Sequence, residues 1–116
     1  MMNKHISKAY NISENELYKT YKLFFNTFSS EQRLKILNLL RGKKRNVSEI
    51  IKKTGFEQSA VSHNLKRLKS CGFVVQKIKG KYRYYNLNKK TIKPLMNLID
   101  KHMSKFCIHI LRGERR

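Results

Sequence analysis

The chain has 116 residues, and its 27 lysine and arginine side chains against 7 acidic ones give a formal charge of +20 at pH 7. A domain of this size holds one hydrophobic core, and its two cysteines are too few for a disulfide scaffold. No stretch resembles a membrane span or a signal peptide, and the charge favours nucleic acid as the partner, so we expect a cytoplasmic protein with no membrane partner.

The amino-terminal residues predict an arm followed by an aromatic helix. Residues 1–12 are polar and unpatterned, which indicates a flexible arm. Ser13 and Glu16 have the spacing of a capping box, so a helix should begin there and run to about Phe28. Its apolar side chains exceed what one core-facing stripe needs, which favours burial against a partner subunit. The residues expected at that interface are Leu17, Tyr21 and Phe24.

A second helix is predicted from Ser30 to Arg41, because Ser29 and Gln32 have the spacing of another capping box. The side chains expected to face the core are Leu34, Leu37 and Leu40, with Ile36 nearby. A basic loop follows, and a solvated turn explains it as well as a phosphate contact does. Its basic residues are Lys43, Lys44 and Arg45.

The central segment has the pattern of a helix-turn-helix. Asn46 should cap a short helix, Val47–Thr54, and a three-residue turn leads into a second helix within GFEQSAVSHNLKRLKSCG, residues 55–72. One face of this second helix is apolar, with Val61, Leu65 and Leu68. In the motif the second helix enters the DNA major groove. Its predicted DNA contacts are Gln58, Ser59, Ser62, His63, Lys66 and Arg67. A surface helix with a solvated polar face is the alternative.

Two β-prone runs, residues 73–78 and 82–87, flank Lys79-Gly80-Lys81 and predict a β-hairpin. A hairpin after a helix-turn-helix is the wing of a winged-helix domain. Residues 41–90 carry 15 basic and 2 acidic side chains, so the charge excess coincides with the motif and the wing. We expect the basic loop and four wing residues to hold phosphates, whereas a lysine-rich protective sheet edge is the alternative. The wing residues are Lys77, Lys79, Lys81 and Arg83.

The last helix should begin near Thr91, with Pro94 in its first turn, and continue through Ile110. Its apolar stripe has no second layer to cover it in one small subunit, so pairing with a twofold mate is expected. The stripe residues expected at that interface are Leu95, Ile99, Met103 and Phe106. Residues 112–116 form a basic tail, which leaves a single domain at residues 13–111.

Three phrases carry a resemblance to a known family: FNTFSSEQRLKILNLL, VSEIIKKTGFEQSAVSHNLKRLKSCGFV and GKYRYYNLN. From Phe25 to Leu87 the chain resembles the ArsR/SmtB family of winged-helix transcriptional repressors. The resemblance implies a homodimer joined by the first and last helices, and repression that an inducer relieves. It also implies DNA contacts at Gln58, Ser59, Ser62 and His63.

The chain departs from this family where the inducer is usually bound. At the thiolate site of the first motif helix it has Asn46-Val47-Ser48-Glu49, which contains no cysteine. At the zinc site of the last helix only His102 is a ligand, because the four positions hold Lys89, Thr91, His102 and Lys105. Another metal site is conceivable at His102, Cys107 and His109, but the two histidines lie about 10 Å apart along a helix, so a partner subunit would have to complete it.

The sequence therefore predicts a mainly α fold with a β-hairpin wing (α+β): a winged helix-turn-helix of four helices, the hairpin and a last helix, dimerising through the first and last helices. It predicts no metal, no cofactor and no catalytic site. We expect a sequence-specific transcriptional regulator that binds double-stranded DNA as a homodimer, lacks the usual metal sites of the family and acts as a repressor. No inducer is identified. The alternatives are an architectural protein that coats DNA without choosing sites, an RNA-binding winged helix, and a thiol or metal sensor.

Overall fold

A computed structural model describes residues 10–114, so the predicted arm falls mostly outside the described residues. Two helices, a short strand, two more helices, a hairpin and two terminal helices follow one another. They are α1 (Glu14–Phe28), α2 (Glu31–Gly42), β1 (Arg45–Asn46), α3 (Val47–Thr54), α4 (Gln58–Ser70), β2 (Val74–Lys79), β3 (Tyr82–Leu87), α5 (Ile92–Lys105) and α6 (Cys107–Leu111). The mainly helical fold with a hairpin wing is confirmed. Within residues 10–114, every helix is too short or too polar to cross a bilayer.

Capping boxes set the starts of α1 and α3, as predicted. The Ser13 hydroxyl accepts from the Glu16 amide at 3.1 Å, and the Glu16 carboxylate accepts from the Ser13 amide at the same distance. Asn46 and Glu49 form the same pair at the start of α3, at 2.9 and 3.1 Å. Each box satisfies two amides that have no partner inside the helix.

The predicted start of α2 and one of its predicted core residues, Leu34, are wrong, whereas Ile36, Leu37 and Leu40 are confirmed. Ser30 caps this helix through the Arg33 amide, whereas Ser29 ends α1. Leu34 is 39% exposed, and the buried stripe consists of Ile36, Leu37 and Leu40. At 100° per residue, Leu34 lies about 110° from the centre of that stripe, which explains its exposure.

The three strands form an antiparallel sheet in the order β1-β3-β2, with β3 in the centre. Helices α2, α3, α4 and α5 contribute to one core that covers a single face of this sheet. The core residues are Ile36, Leu37, Leu40, Ile50, Val61, Leu65, Leu68, Phe73, Val74, Tyr85, Leu87, Ile92 and Met96. The predicted inner face of α4 is confirmed, because Val61, Leu65 and Leu68 are at most 1% exposed.

Two tight turns orient the elements that flank α4. Gly55 ends α3 with φ +75° and lets the chain turn directly into α4. Gly80 has φ +63° at the first position of the two-residue hairpin turn, where a type II′ turn requires a positive φ. The wing is therefore a tight hairpin whose tip is Gly80-Lys81.

A buried polar network fixes α4 against α1 and α2, and sequence reasoning missed it. Asn64 is 6% exposed; its Oδ1 accepts from Arg33 at 3.3 Å and its Nδ2 donates to the Gln32 side chain at 3.0 Å. Arg33 also donates to the main-chain oxygen of Thr27 at 2.9 Å. Each contact pairs a polar group that would otherwise be buried without a partner, so the network holds α4 in one orientation.

Replacing Asn64 with leucine is expected to lower the free energy of unfolding by about 1–3 kcal/mol, because the half-buried Arg33 loses a hydrogen-bond partner. Urea denaturation at a fixed protein concentration measures the change. The control is His63→Leu, one position along the helix and exposed, which should change stability by no more than about 0.5 kcal/mol. Equal effects from both variants would contradict the role given to the network.

The predicted last helix is not continuous. The backbone departs from helical geometry at Phe106, with φ −124° and ψ −73°, and this separates α5 from α6. Residues 101–107 are all exposed, so packing within the protomer does not hold this segment straight. The described chain has a radius of gyration of 16.7 Å, against about 13 Å for a globular chain of this length.

Candidate DNA interface

Helix α4 presents a row of exposed polar side chains on the side opposite its buried stripe. Five of the six predicted DNA contacts on this helix are exposed: Gln58, Ser59, Ser62, His63 and Lys66. None of them makes a side-chain hydrogen bond within residues 10–114 that would hold it away from a ligand. They are therefore free to bind.

Arg67 is placed differently from the other five. It is half-buried, and its Nε donates to the Thr27 hydroxyl at 3.2 Å, which ties α4 to the end of α1. Thr27 is fully buried, and its hydroxyl donates in turn to the main-chain oxygen of Leu23. The Nε of Arg67 is thus used in packing, but Arg67 also lines a cleft with His63 and Lys66, so it borders the exposed row.

The exposed row of α4 shares a cleft with one face of the wing. The cleft has a volume of about 290 Å³, and its polar lining includes Ser62, Lys66, Lys69, Gln76 and Arg83. Lys69 Nζ donates to Gln76 Oε1 at 2.6 Å, so the end of α4 is tied to β2. Lys69 and Gln76 were not predicted, because their contact depends on the distance between two elements.

A second cleft connects the wing tip with the start of α3. Its lining includes the hydroxyl side chain of Ser48 and the basic side chains of Lys81 and Arg83. Because Arg83 lines both clefts, they form one basic surface beside α4. We call this surface the helix–wing face; it comprises Ser48, Ser62, Lys66, Lys69, Lys81 and Arg83.

The structure divides the predicted phosphate-binding residues of the loop and wing between two faces of the sheet. Arg83 lies opposite Ile78 in the register, whereas Lys77 and Lys79 lie opposite Tyr84 and Tyr82. Side chains alternate along a strand, so Lys77 and Lys79 project away from Arg83. Lys77 lines a different cleft, together with Lys43 and Lys44. These three lysines are not brought to the helix–wing face.

Arg45 lies in a strand and not in a loop. It pairs with Tyr85 across β1 and β3 and is half-buried. Its Nε is buried and has no hydrogen-bond partner among the described residues. Arg45 is therefore part of the sheet edge, unlike the two exposed lysines that precede it in sequence.

The residues predicted at the dimer interface fall into two groups. Leu17 is 5% exposed, and Phe24 and Leu95 pack on the core, so their burial needs no partner. Ile99 is half-buried, whereas Tyr21, Met103 and Phe106 are exposed. The exposed apolar residues of α1, α5 and α6, with Phe106 between the last two, are what we call the terminal apolar face: Tyr18, Tyr21, Leu23, Phe25, Leu98, Met103, Phe106, Ile110 and Leu111.

The candidate metal ligands are not gathered within one protomer. His109 Nδ1 contacts Glu114 Oε1 at 2.8 Å, and the His102 ring packs on Phe106 with centroids 4.7 Å apart. Cys107 is exposed and lies in an apolar cleft of about 520 Å³. In the part of the chain that the structure describes, no three histidine, cysteine or acidic side chains are grouped as a metal site requires.

Comparison with known proteins identifies relatives of this chain. The family model described as bacterial regulatory protein, arsR family, matches residues 30–75. The transcriptional repressor SdpR of Bacillus subtilis (strain 168) is 30% identical over 73 residues, which are 63% of this chain and 81% of SdpR.

Solved structures share the fold as well. Rv0081 of Mycobacterium tuberculosis superposes with a TM-score of 0.76 at 28% identity, over 82% of this chain and 96% of that one. The homodimeric winged helix-turn-helix DNA-binding domain of Mb0332 from Mycobacterium bovis gives a TM-score of 0.74 at 27% identity, over 82% and 90% of the two chains. With the family match and the identity to SdpR, these likenesses show that the chain belongs to the ArsR family of transcriptional regulators, which bind DNA through a winged helix-turn-helix.

Proposed function

We propose that this protein is a homodimeric repressor that recognises an inverted repeat in double-stranded DNA. The observation that carries the proposal is the shared cleft of α4 and the wing, where exposed hydrogen-bonding side chains adjoin Arg83. A recognition helix in the major groove reads base edges, while cations beside it hold the phosphates. SdpR is named a transcriptional repressor, which supports repression.

Base recognition is assigned to the exposed amino-terminal half of α4. Gln58 suits adenine, because its amide can both accept and donate a hydrogen bond. The hydroxyls of Ser59 and Ser62 can form hydrogen bonds with several different bases. His63 and Lys66, further along the exposed row, add base or phosphate contacts. Arg67 holds Thr27 through its Nε and borders the same cleft as His63 and Lys66, so it is assigned a phosphate contact at the edge of this set.

Phosphate binding is assigned to the helix–wing face. Ser48 lies in the first turn of α3, and Lys81 and Arg83 lie across the cleft from it on the wing. A phosphate in this cleft would meet a hydroxyl and two cations, which is a favourable setting for charge-assisted hydrogen bonds. Lys79, at the wing tip, adds charge from the other face of the hairpin.

Dimerisation through α1 and α5 is proposed from the terminal apolar face. Phe25 on α1 and Leu98 on α5 are 61% and 64% exposed in one protomer, and large apolar side chains exposed on both helices favour burial against a partner. The proposal extends to α6, because Ile110 and Leu111 are even more exposed. The homodimeric Mb0332 domain supports a twofold arrangement.

Changing Lys81 and Arg83 together to glutamine is expected to reduce the salt dependence of DNA binding. Each phosphate contact contributes about 0.9 to the slope of log K against log salt, so the slope should fall by about 2. Titrations with a labelled duplex at several salt concentrations measure it. The matched control is Lys52→Gln with Lys53→Gln, an equal charge change on exposed residues of α3. An unchanged slope in the wing variant would refute the assignment of these two residues.

An architectural protein that coats DNA without choosing sites is a second candidate, and the charge of +20 favours it. Sequence-independent affinity comes almost entirely from phosphate contacts. The two candidates differ in one measurable property: a repressor prefers its operator over random duplex, whereas a coating protein binds both equally.

A further inference from the structure

A cleft on the opposite face of the sheet from α4 holds a second concentration of positive charge. We call it the basic cleft; its basic lining residues are Arg41, Lys43, Lys44, Lys77, Lys89 and Lys93. They come from the end of α2, from β2 and from the start of α5, so three parts of the chain converge there. Among residues 10–114, no acidic side chain lines the cleft.

Only one of these six cations is neutralised. Arg41 contacts the Asp100 carboxylate at 2.7 Å and donates to Asn97 Oδ1 at the same distance, which fastens the end of α2 to α5. The five lysines have no carboxylate within 4.0 Å among residues 10–114. Like charges gathered without counter-ions repel one another, and a bound polyanion relieves that repulsion.

The cleft also has groups that can bind a flat, polar ring. Tyr84 and Asn86 line it, and the Lys44 ammonium lies over one face of the Tyr84 ring, 5.6 Å from its centre, so a base stacked on that face takes the place of Lys44. An aromatic face stacks on a base, and a carboxamide can donate to and accept from a base edge. The volume of about 430 Å³ falls in the range of small-molecule sites.

The position of the cleft separates it from the helix–wing face. Lys77 and Tyr84 project from the sheet on the side opposite Arg83 and Tyr85, and the latter two lie with α4. A duplex lying on α4 therefore cannot also fill the basic cleft.

We propose that the basic cleft binds a nucleoside di- or triphosphate, with the lysines holding the phosphates and Tyr84 with Asn86 holding the base. The start of α5 forms one wall, and α5 is also part of the terminal apolar face. A ligand there contacts α2, the sheet and α5 together. Because α5 belongs to the proposed dimer interface, such a ligand can change how the two protomers are oriented.

Calorimetric titration of the full chain with ATP at about 150 mM salt tests the proposal. Saturable binding at one site per chain is expected, and Lys89→Gln with Lys93→Gln should weaken it by about tenfold or more. Lys43→Gln with Lys44→Gln, on a different wall, should do the same. The matched control, Lys81→Gln with Arg83→Gln, removes the same charge from the helix–wing face and should change ATP affinity by less than about twofold.

Titrations with parts of the ATP molecule show which of its groups the cleft binds. Inorganic triphosphate should bind more weakly than ATP, and adenosine should not bind measurably. The proposal is overturned if ATP does not saturate, if the control variant weakens binding as much as the cleft variants, or if triphosphate binds as tightly as ATP. It is also overturned if Lys89→Gln with Lys93→Gln reduces duplex binding while ATP binding persists, since a second duplex would then be the occupant. The operator affinity of this variant should otherwise equal that of the wild type.

Discussion

Replacing Ser62 with glutamate is expected to weaken specific DNA binding by about 100-fold or more while the fold is preserved. Ser62 is exposed on α4 and lines the cleft shared with Lys66 and Arg83. A carboxylate there would face phosphates and base edges, and a like-charge juxtaposition at an interface costs several kcal/mol. Each 1.4 kcal/mol corresponds to a tenfold loss of affinity. Equilibrium titration with a labelled operator duplex measures the change.

The matched control is Ser104→Glu, the same substitution at an exposed position of α5 outside the motif. It adds the same negative charge to the protein, so it reports how much of the loss comes from net charge alone. We expect a change of less than about fivefold, since exposed charges beyond a Debye length are screened. If the two variants lost DNA affinity to a similar extent, α4 would not be part of the DNA-binding site.

Replacing Phe25 and Leu98 with glutamate is expected to convert the dimer into monomers. Both side chains are mostly exposed in one protomer, so the substitutions leave the core intact. In a dimer built on the terminal apolar face they would bury two carboxylates without partners, which is strongly unfavourable. Affinity for a palindromic duplex should then fall by about 100-fold or more, because the second half-site is no longer bound by a linked subunit. Sedimentation equilibrium measures the mass, and a titration measures the affinity.

Val75→Glu is the control for this variant. Val75 is 43% exposed on β2, so the change again places a carboxylate at an exposed apolar position, but away from the terminal helices. The Val75→Glu variant should still sediment with the molar mass of a dimer. If the protein with Phe25→Glu and Leu98→Glu remained dimeric, another surface would join the protomers.

Local signals in the sequence predicted most of the fold. Capping boxes such as Asn46 with Glu49 act within four residues, and the stripe of Val61, Leu65 and Leu68 follows the helix period, so both are visible in one short segment. The start of α2 was misplaced by one residue because Ser29 and Ser30 are both good caps. The sequence does not tell which serine the preceding helix uses as its end.

The site was predicted less completely, because its geometry depends on pairs far apart in the chain. Asn64 interrupts the apolar stripe of α4, but its partners Arg33 and Gln32 lie more than thirty positions away. Arg83 and Lys77 appear equivalent as wing cations, and only the strand register separates their faces. The break at Phe106 lies in a segment whose residues 101–107 are all exposed, and no local pattern reveals that exposure.

The formal charge of +20 is easier to explain because the basic residues fall on two different surfaces of the protein. Lys66, Lys69, Lys81 and Arg83 belong to the helix–wing face, where the proposed duplex would neutralise them. The lysines of the basic cleft lie on the other side of the sheet, where the proposed nucleotide would neutralise them. A strong overall charge is therefore compatible with site-specific DNA recognition.

The central claim is sequence-specific recognition by a twofold dimer, and selection of bound duplexes from a random DNA library at about 150 mM salt tests it most directly. Non-specific binding is weak at this salt concentration, so a site-specific protein enriches its own sequence. We expect an inverted repeat whose half-sites lie about one helical turn apart, centre to centre. Retention of duplexes with no shared sequence would contradict the claim and establish the architectural function instead.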